Sequence, residues 1–537
     1  MSCNPTEALQ RQIARLLVVR ASGFLDDRQR RYPQWEHNNR ELQQLLKRGV
    51  GGVILLGGSA AELQKRTRQL QSWSDQPLLL CADVEEGVGQ RFEGASWLVP
   101  PLALGRLHQR EPQRALELAK RYGRCTGEQA RRCGLNWVLA PVCDINNNPA
   151  NPVINVRAWG EDPASASALA LAFHRGLAST GVLSCAKHFP GHGDTSSDSH
   201  LDLPVLLHDE ERLNQVELAP FRTLIDGGVD SIMTAHLLLP QLDPKRPATL
   251  SGAVLTNLLR QNLGFNGLVV TDALVMEAIT GRVGPAEAAI QAFEAGADLI
   301  LMPADADAAI RGISQAIAQG RIPIQRLHQA LQRRREALNR TSAMSTMQNT
   351  PELMVCPEDR ALEQELVRTT LELRSGGGLS AGQGINLIRV DGVWPCPALS
   401  GHAPALTQPQ RLGLQPLLVH PHALSPWQPD PEAPLALEHI GEGPVLLQLF
   451  LRGNPFRGQR DQQEPWRAAV QQLQRHHRLA GLVVYGCPYL WDELNAVLDR
   501  TIPAAYSPGQ MPEAQGQVMT ALLSATATEA TGAGFTD

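Results

Sequence analysis

No Cys-x-x-Cys pair occurs in this chain, although it holds nine cysteines, at Cys3, Cys81, Cys125, Cys133, Cys143, Cys185, Cys356, Cys396 and Cys487. An odd number without paired spacing argues against a disulfide framework or a zinc ribbon and for reduced, mostly buried thiols. Excess charge is lacking too. The 49 lysines and arginines against 54 aspartates and glutamates leave a formal net charge of -5, which gives no electrostatic footprint for nucleic acid or a membrane surface. The segment from Met1 to Leu17 is charged and amphipathic, without the apolar stretch of a secretory leader. No run approaches the roughly 20 apolar residues of a membrane span. These absences lead to the expectation of a cytoplasmic protein that binds neither nucleic acid nor membrane.

What is present is ordinary folding material in an orderly arrangement. A chain of 537 residues, 43% hydrophobic and 19% charged, is too long for one core and is expected to form two or more domains. Apolar runs rich in Val, Ile, Leu and Ala recur at Leu16–Val19, Gly52–Leu56, Leu78–Ala82, Trp137–Pro141, Leu183–Lys187, Asp230–Ala235, Leu268–Thr271 and Asp298–Met302. Between them lie segments of helical period such as 113–133, 164–179, 210–226, 251–262 and 286–295. Continuous apolar strands alternating with helices predict an α/β domain with a parallel sheet, and eight such units point to a (β/α)8 TIM-type barrel rather than a doubly wound open sheet. The barrel is placed at residues 1–342 and a linker at 343–358. A smaller α/β sandwich domain is expected at 359–537, with strands near 385–390, 444–450, 479–485 and 503–506. The ten prolines between residues 395 and 434 predict an extended connection there.

In such a barrel the polar residues at strand C-termini build the active site. Strand three delivers Asp83-Val84-Glu85-Glu86-Gly87 with Arg91 close behind, strand four leads to Asp144 and then Arg157, strand five ends in Lys187-His188, strand six in His236 and strand seven in Asp272. Asp272, fixed at a strand end, suits a nucleophile or base, although a carboxylate capping the next helix is common there. The run from Lys187 to His200 holds three histidines, two aspartates and a lysine in fourteen residues. Within it, Asp198-Ser199-His200 would let a carboxylate orient an imidazole for proton transfer, a pattern that a surface turn also produces. His188 and His192 stand four apart, a spacing that serves a metal when helical, but Pro190, Gly191 and Gly193 oppose a helix.

The sequence Lys187-His188-Phe189-Pro190-Gly191-His192-Gly193-Asp194-Thr195, followed by Asp198-Ser199-His200, resembles the signature of glycoside hydrolase family 3, in its β-N-acetylglucosaminidase branch. Asn148-Pro149 through Asp162-Pro163 and Val270-Thr271-Asp272-Ala273-Leu274 also fit, and the likeness spans residues 10 to 340. The resemblance implies a retaining exo-β-N-acetylglucosaminidase with Asp272 as nucleophile, His200 as acid/base and Asp198 as the carboxylate that orients it. It implies that Asp83, Arg91, Arg157, Lys187 and His188 hold the terminal sugar and that no metal or cofactor takes part. The partner is then a small carbohydrate, a muropeptide fragment or a chitin-derived oligosaccharide. A phosphorylase with the same site, a β-glucosidase, a non-catalytic sugar-binding barrel and a metal-dependent hydrolase are the alternatives. The pattern departs at Glu86, where the family has glycine, and the loop is expected to take a different path there. The second domain resembles the sandwich that follows the barrel in longer members, most visibly at Val483–Tyr489 and Ala504–Ser507.

Overall fold

A computed structural model of the chain describes residues 5–195, 203–281, 283–342, 354–374, 379, 382–392, 396–420, 422–423, 425–452 and 464–530. The chain divides into two compact units, one of Met1–Trp97 with Leu104–Leu362, the other of Leu98–Ala103 with Glu363–Asp537.

In the first unit every apolar run of the sequence overlaps a strand: β1 (Leu17–Ser22), β2 (Gly52–Leu56), β3 (Leu79–Ala82), β4 (Trp137–Val138), β5 (Cys185–Phe189), β6 (Ser231–Thr234), β7 (Leu268–Val270) and β8 (Ile300–Leu301). All pairings are parallel, in a five-stranded sheet ordered β4-β3-β2-β1-β8 and a three-stranded sheet ordered β5-β6-β7. Isolated parallel bridges run between the two at Trp137 with Leu183, Val142 with Lys187, and Val270 with Leu299. The strands are buried almost throughout, because helices cover the outer face while side chains fill the inner one.

The helices follow local signals. Pro112–Arg132 starts with proline in its first turn, and Pro163–Ala178 is capped by Asp162, whose carboxylate accepts from the Ser165 N–H at 2.9 Å. These two helices pack so closely that a Cβ at Gly123 would lie 2.0 Å from the Phe173 carbonyl oxygen, so glycine is required there. The segment expected as one helix over 210–226 is two, Glu210–Gln215 and Ala219–Asp226. The break falls at Val216, whose φ of -116° and ψ of -76° leave the regular helical values, and Pro220 sits in the first turn of the second helix, where its missing N–H costs no bond.

Polar side chains at the N-terminal ends of the strands tie the first unit together. Buried Asp298, just before β8, takes ion pairs from Arg260, Arg326 and Arg333, the last two at 3.0 Å. Buried Asp230, before β6, accepts from the Ser184 N–H at 2.9 Å and from its hydroxyl at 3.1 Å. At this end of the strands such networks serve stability, which leaves the opposite end for chemistry.

The second unit holds β9 (Glu372–Arg374), β10 (Gly384–Val390), β11 (Leu414–Val419), β12 (Val445–Leu451), β13 (Leu479–Gly486) and β14 (Ala504–Ser507). They form one sheet ordered β11-β10-β12-β13-β14-β9, parallel except for β9. Alternate residues feed two apolar clusters, Leu387, Leu447 and Val484 in one and Ile388, Leu446 and Val483 in the other, so both faces of the sheet are covered. The Pro-rich stretch corrects the expectation of an extended connection: it contains the helix Pro404–Arg411 and β11. Pro404 occupies the helix's first turn, and Pro416 sits on an edge strand, where a missing N–H costs no ladder bond.

Candidate active site

The C-terminal ends of β3 and β5 meet through a four-residue charge network. Lys187, on β5 and 1% exposed, places Nζ 2.8 Å from Asp83 Oδ1 and 2.6 Å from Glu85 Oε1. Glu85 is gripped from its other side by Arg157, with Nε 2.8 Å from Oε2 and Nη2 2.9 Å from Oε1. Arg157 also donates from Nη1 to the Val153 carbonyl at 3.0 Å, which fixes its fork. Two cations thus face two carboxylates in a site largely closed to water, and the charges persist because they are mutually paired. Burial alone would raise the Glu85 carboxyl, yet Arg157 and Lys187 hold it well below the usual range. Burial would likewise lower Lys187, and the carboxylates of Asp83 and Glu85 hold it above the ordinary lysine value. Glu85 and Lys187 are thus both charged at neutral pH.

Glu85 received no role from the sequence, although the signal was there. In an extended segment residues i and i+2 share a side, so a cation that meets Asp83 meets Glu85 as well. The substituted position behind it, Glu86, is buried at 1% and accepts from the Trp97 indole N–H at 2.9 Å. Its carboxylate braces the loop from inside. Asp83 and Arg91 remain in contact, with the exposed Arg91 donating from Nε to the Asp83 carbonyl at 3.1 Å.

Beside this network, Asp144 is the second residue that sequence reasoning left without a role. It is buried and accepts from His188 Nδ1 at 2.7 Å, from the His188 N–H at 3.2 Å and from the His192 N–H at 2.7 Å. Burial opposes its charge, but His188 and the backbone donors hold its pKa down. A carboxylate facing Nδ1 holds a ring N–H on that nitrogen and fixes the orientation of the imidazole. His192, by contrast, has its Nδ1 2.8 Å from the Thr195 hydroxyl, and burial pulls its pKa down to about 4. The four-residue spacing of the two histidines therefore serves two separate hydrogen bonds, with ring planes at 76°. Asn151 fastens the turn by donating to the carbonyls of His192 and Gly193 at 2.9 and 2.8 Å.

Asp272 lies two residues beyond β7 and is partly buried. Its Oδ1 accepts from the Ala273 N–H at 2.7 Å, and its own N–H points to the Thr234 hydroxyl at 3.4 Å. His236 clamps the same loop: Nδ1 is 2.8 Å from the Thr249 hydroxyl and Nε2 is 3.1 Å from the Ala273 carbonyl. β6 pairs in parallel with both β5 and β7, so Lys187 and Asp272 belong to the same three-stranded sheet end, one strand apart. The structure thus gathers Asp83, Arg91, Arg157, Lys187, His188 and Asp272 at one end of the parallel strands. Asp198 and His200 lie outside the described residues.

Such a site, rich in fixed charges that can hydrogen-bond neutral hydroxyls and lined up with one carboxylate at a strand end, suits a carbohydrate ligand. The chain belongs to glycosyl hydrolase family 3: the family's N-terminal domain matches residues 8–336, and its bacterial C-terminal domain matches residues 379–524. It has the two-domain α/β fold of that family, and the curated relatives it matches include β-hexosaminidases. β-Hexosaminidase A of Pseudoalteromonas piscicida is 38% identical over 286 residues, which are 49% of this chain and 47% of that protein. The chain thus spans about half the length of that relative. The β-hexosaminidase of Nitrosomonas eutropha is 35% identical over 264 residues, 48% of this chain and 75% of that protein. Among solved structures, a family 3 β-N-acetylglucosaminidase from Paenibacillus sp. str. FPU-7 superposes with a TM-score of 0.77 at 27% identity, over 96% of this chain and 97% of that one.

Proposed function

We propose that the chain is an exo-acting β-N-acetylglucosaminidase that retains anomeric configuration. The observation that carries the reading is the Lys187–Asp83–Glu85–Arg157 network at the same strand ends as Asp272. The bridges Trp137–Leu183, Val142–Lys187 and Val270–Leu299 support closure of the two parallel sheets into one eight-stranded (β/α)8 barrel with this site at its mouth. The barrel domain is assigned to residues 1–342, the linker to 343–358 and the α/β sandwich to 359–537.

In the first step the Asp272 carboxylate attacks the anomeric carbon and the bond to the leaving oxygen breaks, with His200 supplying the proton that oxygen needs. In the second, water displaces Asp272 and returns a proton to His200, whose imidazolium Asp198 stabilises. Asp83, Arg91, Arg157, Lys187 and His188 hold the hydroxyls of the terminal sugar. Because Lys187 and Arg157 are locked by Glu85 before the substrate arrives, no reorganisation is spent at the moment of reaction. No metal or cofactor has a part in this scheme. A muropeptide fragment is the proposed natural substrate, and the cytoplasm the proposed location; no helix among the described residues is long and apolar enough to cross a membrane.

The test is Asp272→Ala, assayed by nitrophenol release from an aryl β-N-acetylglucosaminide. Release should fall by at least a thousandfold with the fold intact. A rate near that of the unsubstituted enzyme would remove Asp272 from the mechanism.

A further inference from the structure

Only 4% of this chain is aromatic. Among the described residues just two aromatic side chains, Tyr32 at 39% and Trp35 at 36%, stand with the exposed large apolar groups. They occur together. Their rings stack with centroids 5.8 Å apart and planes at 28°, in the segment that follows the C-terminal end of β1. Rings that keep more than a third of their surface in water contribute less to folding than fully buried ones.

The support beneath them is rigid. Arg20, the only residue of β1 that is not fully buried, lies under both rings, 5.0 Å from the Tyr32 centroid and 5.9 Å from that of Trp35. Buried Glu36 faces Arg20 at 3.8 Å and accepts from the Tyr32 N–H at 3.2 Å. The N–H groups of Trp35 and Glu36 both donate to the Tyr32 carbonyl at 2.9 Å, which closes the turn. Both rings are therefore presented in a fixed pose before any ligand binds.

The loop is also anchored beside the sugar site. The Phe24 ring packs on Gly57 after β2, and the Phe92 ring, next in sequence to Arg91, packs on Gly23. The charges of Asp83 and Arg91 both act on the Arg20 guanidinium. The exposed pair follows the C-terminal end of β1, whereas Lys187 is 1% exposed, and an exo-acting enzyme needs open rim beyond its buried sugar site for the rest of the substrate. A pyranose ring presents a face of C–H groups that matches the face of an aromatic ring in polarity and size.

We propose that Tyr32 and Trp35 form a stacking platform for a second pyranose ring, on the leaving-group side of the terminal N-acetylglucosamine; this rests on the glycosidase reading above. The alternative is a purely structural pair that shields Arg20 and Glu36 from water. The two differ in whether the effect of the rings depends on ligand length.

The test is calorimetric titration of the full chain with N-acetylglucosamine and with its thio-linked disaccharide, whose sulfur bridge resists hydrolysis. The Tyr32→Ala/Trp35→Ala double variant should bind the disaccharide about tenfold more weakly, while the monosaccharide affinity shifts less than twofold. Trp35→Phe should restore most of the loss, since the ring face is kept. Equal weakening of both ligands, or no weakening of either, overturns the platform and leaves the glycosidase reading standing. Failure of the unsubstituted chain to bind either sugar overturns both.

Discussion

The Lys187 ammonium stands 2.6 Å from the Glu85 carboxylate although the two side chains are only 1% and 4% exposed. Neither charge can be hydrated, so each depends on the other and on Arg157. Removing one partner strands the rest. Glu85→Gln should lower unfolding stability by roughly 3 kcal/mol, in line with breaking other buried pairs. Denaturant titration checks it, read as a shift in midpoint at constant slope. A loss below about 0.5 kcal/mol would mean that water enters the site and that the pairing is worth no more than a surface bridge.

The site also sets a pH dependence of stability. Burial lowers His192 to about 4 in the folded chain, against about 6.5 in the unfolded one. The folded state therefore binds fewer protons, and its contribution is complete above about 6.5 and lost as pH falls towards 4. Glu85, held well below its usual value, adds a second loss at still lower pH. Lys187 has the opposite sign, with its contribution fading only at pH above the ordinary lysine range. His192→Asn should flatten the stability profile between pH 6.5 and 4 by on the order of 3 kcal/mol relative to the native profile. Parallel profiles for the two proteins would show that His192 is not the titrating group.

The parallel strands were legible because each overlaps an apolar run, and Lys187, His188 and Asp272 were legible because they stand at the ends of such runs. Asp144 was harder. It stands six residues past the last residue of β4, and its role depends on a turn at 188–192 that the sequence pattern does not specify. Glu85 was passed over because a carboxylate two residues from Asp83 reads as a solvated loop charge until Arg157, 72 positions away, is brought beside it. The strand β11 was hidden by Pro416, whose tolerance depends on being at the edge of a sheet, a fact of topology. Tyr32 and Trp35 carried no motif at all; only their shared exposure over Arg20 distinguishes them.

His236 should act as a positioning residue for Asp272. Its imidazole spans the Thr249 hydroxyl and the Ala273 carbonyl, one residue from Asp272, and it is 1% exposed. His236→Ala would free that carbonyl and loosen the loop. The expected result is a fall in kcat of about tenfold with little change in KM, because orientation at the reacting carbon is lost while the sugar contacts remain. His236→Gln, which keeps a donor and an acceptor, should recover part of kcat. A folded His236→Ala protein with unchanged kcat would reduce the residue to packing.

The proposed acid role of His200 can be separated from a binding role by the leaving group. A nitrophenolate departs without much protonic help, whereas a sugar alkoxide needs a proton in the transition state. His200→Ala should therefore slow hydrolysis of a disaccharide of N-acetylglucosamine by about a thousandfold and nitrophenol release by about tenfold. Asp198→Asn should show the same direction with smaller losses, since the imidazole would remain but lose its orienting charge. If both substrates slow by the same factor in His200→Ala, the histidine contributes to binding and the proton must come from another group. A shift of the alkaline limb of kcat/KM between pH 6 and 9, present in the native enzyme and absent from the variant, would then distinguish an acid that titrates in place from one that does not.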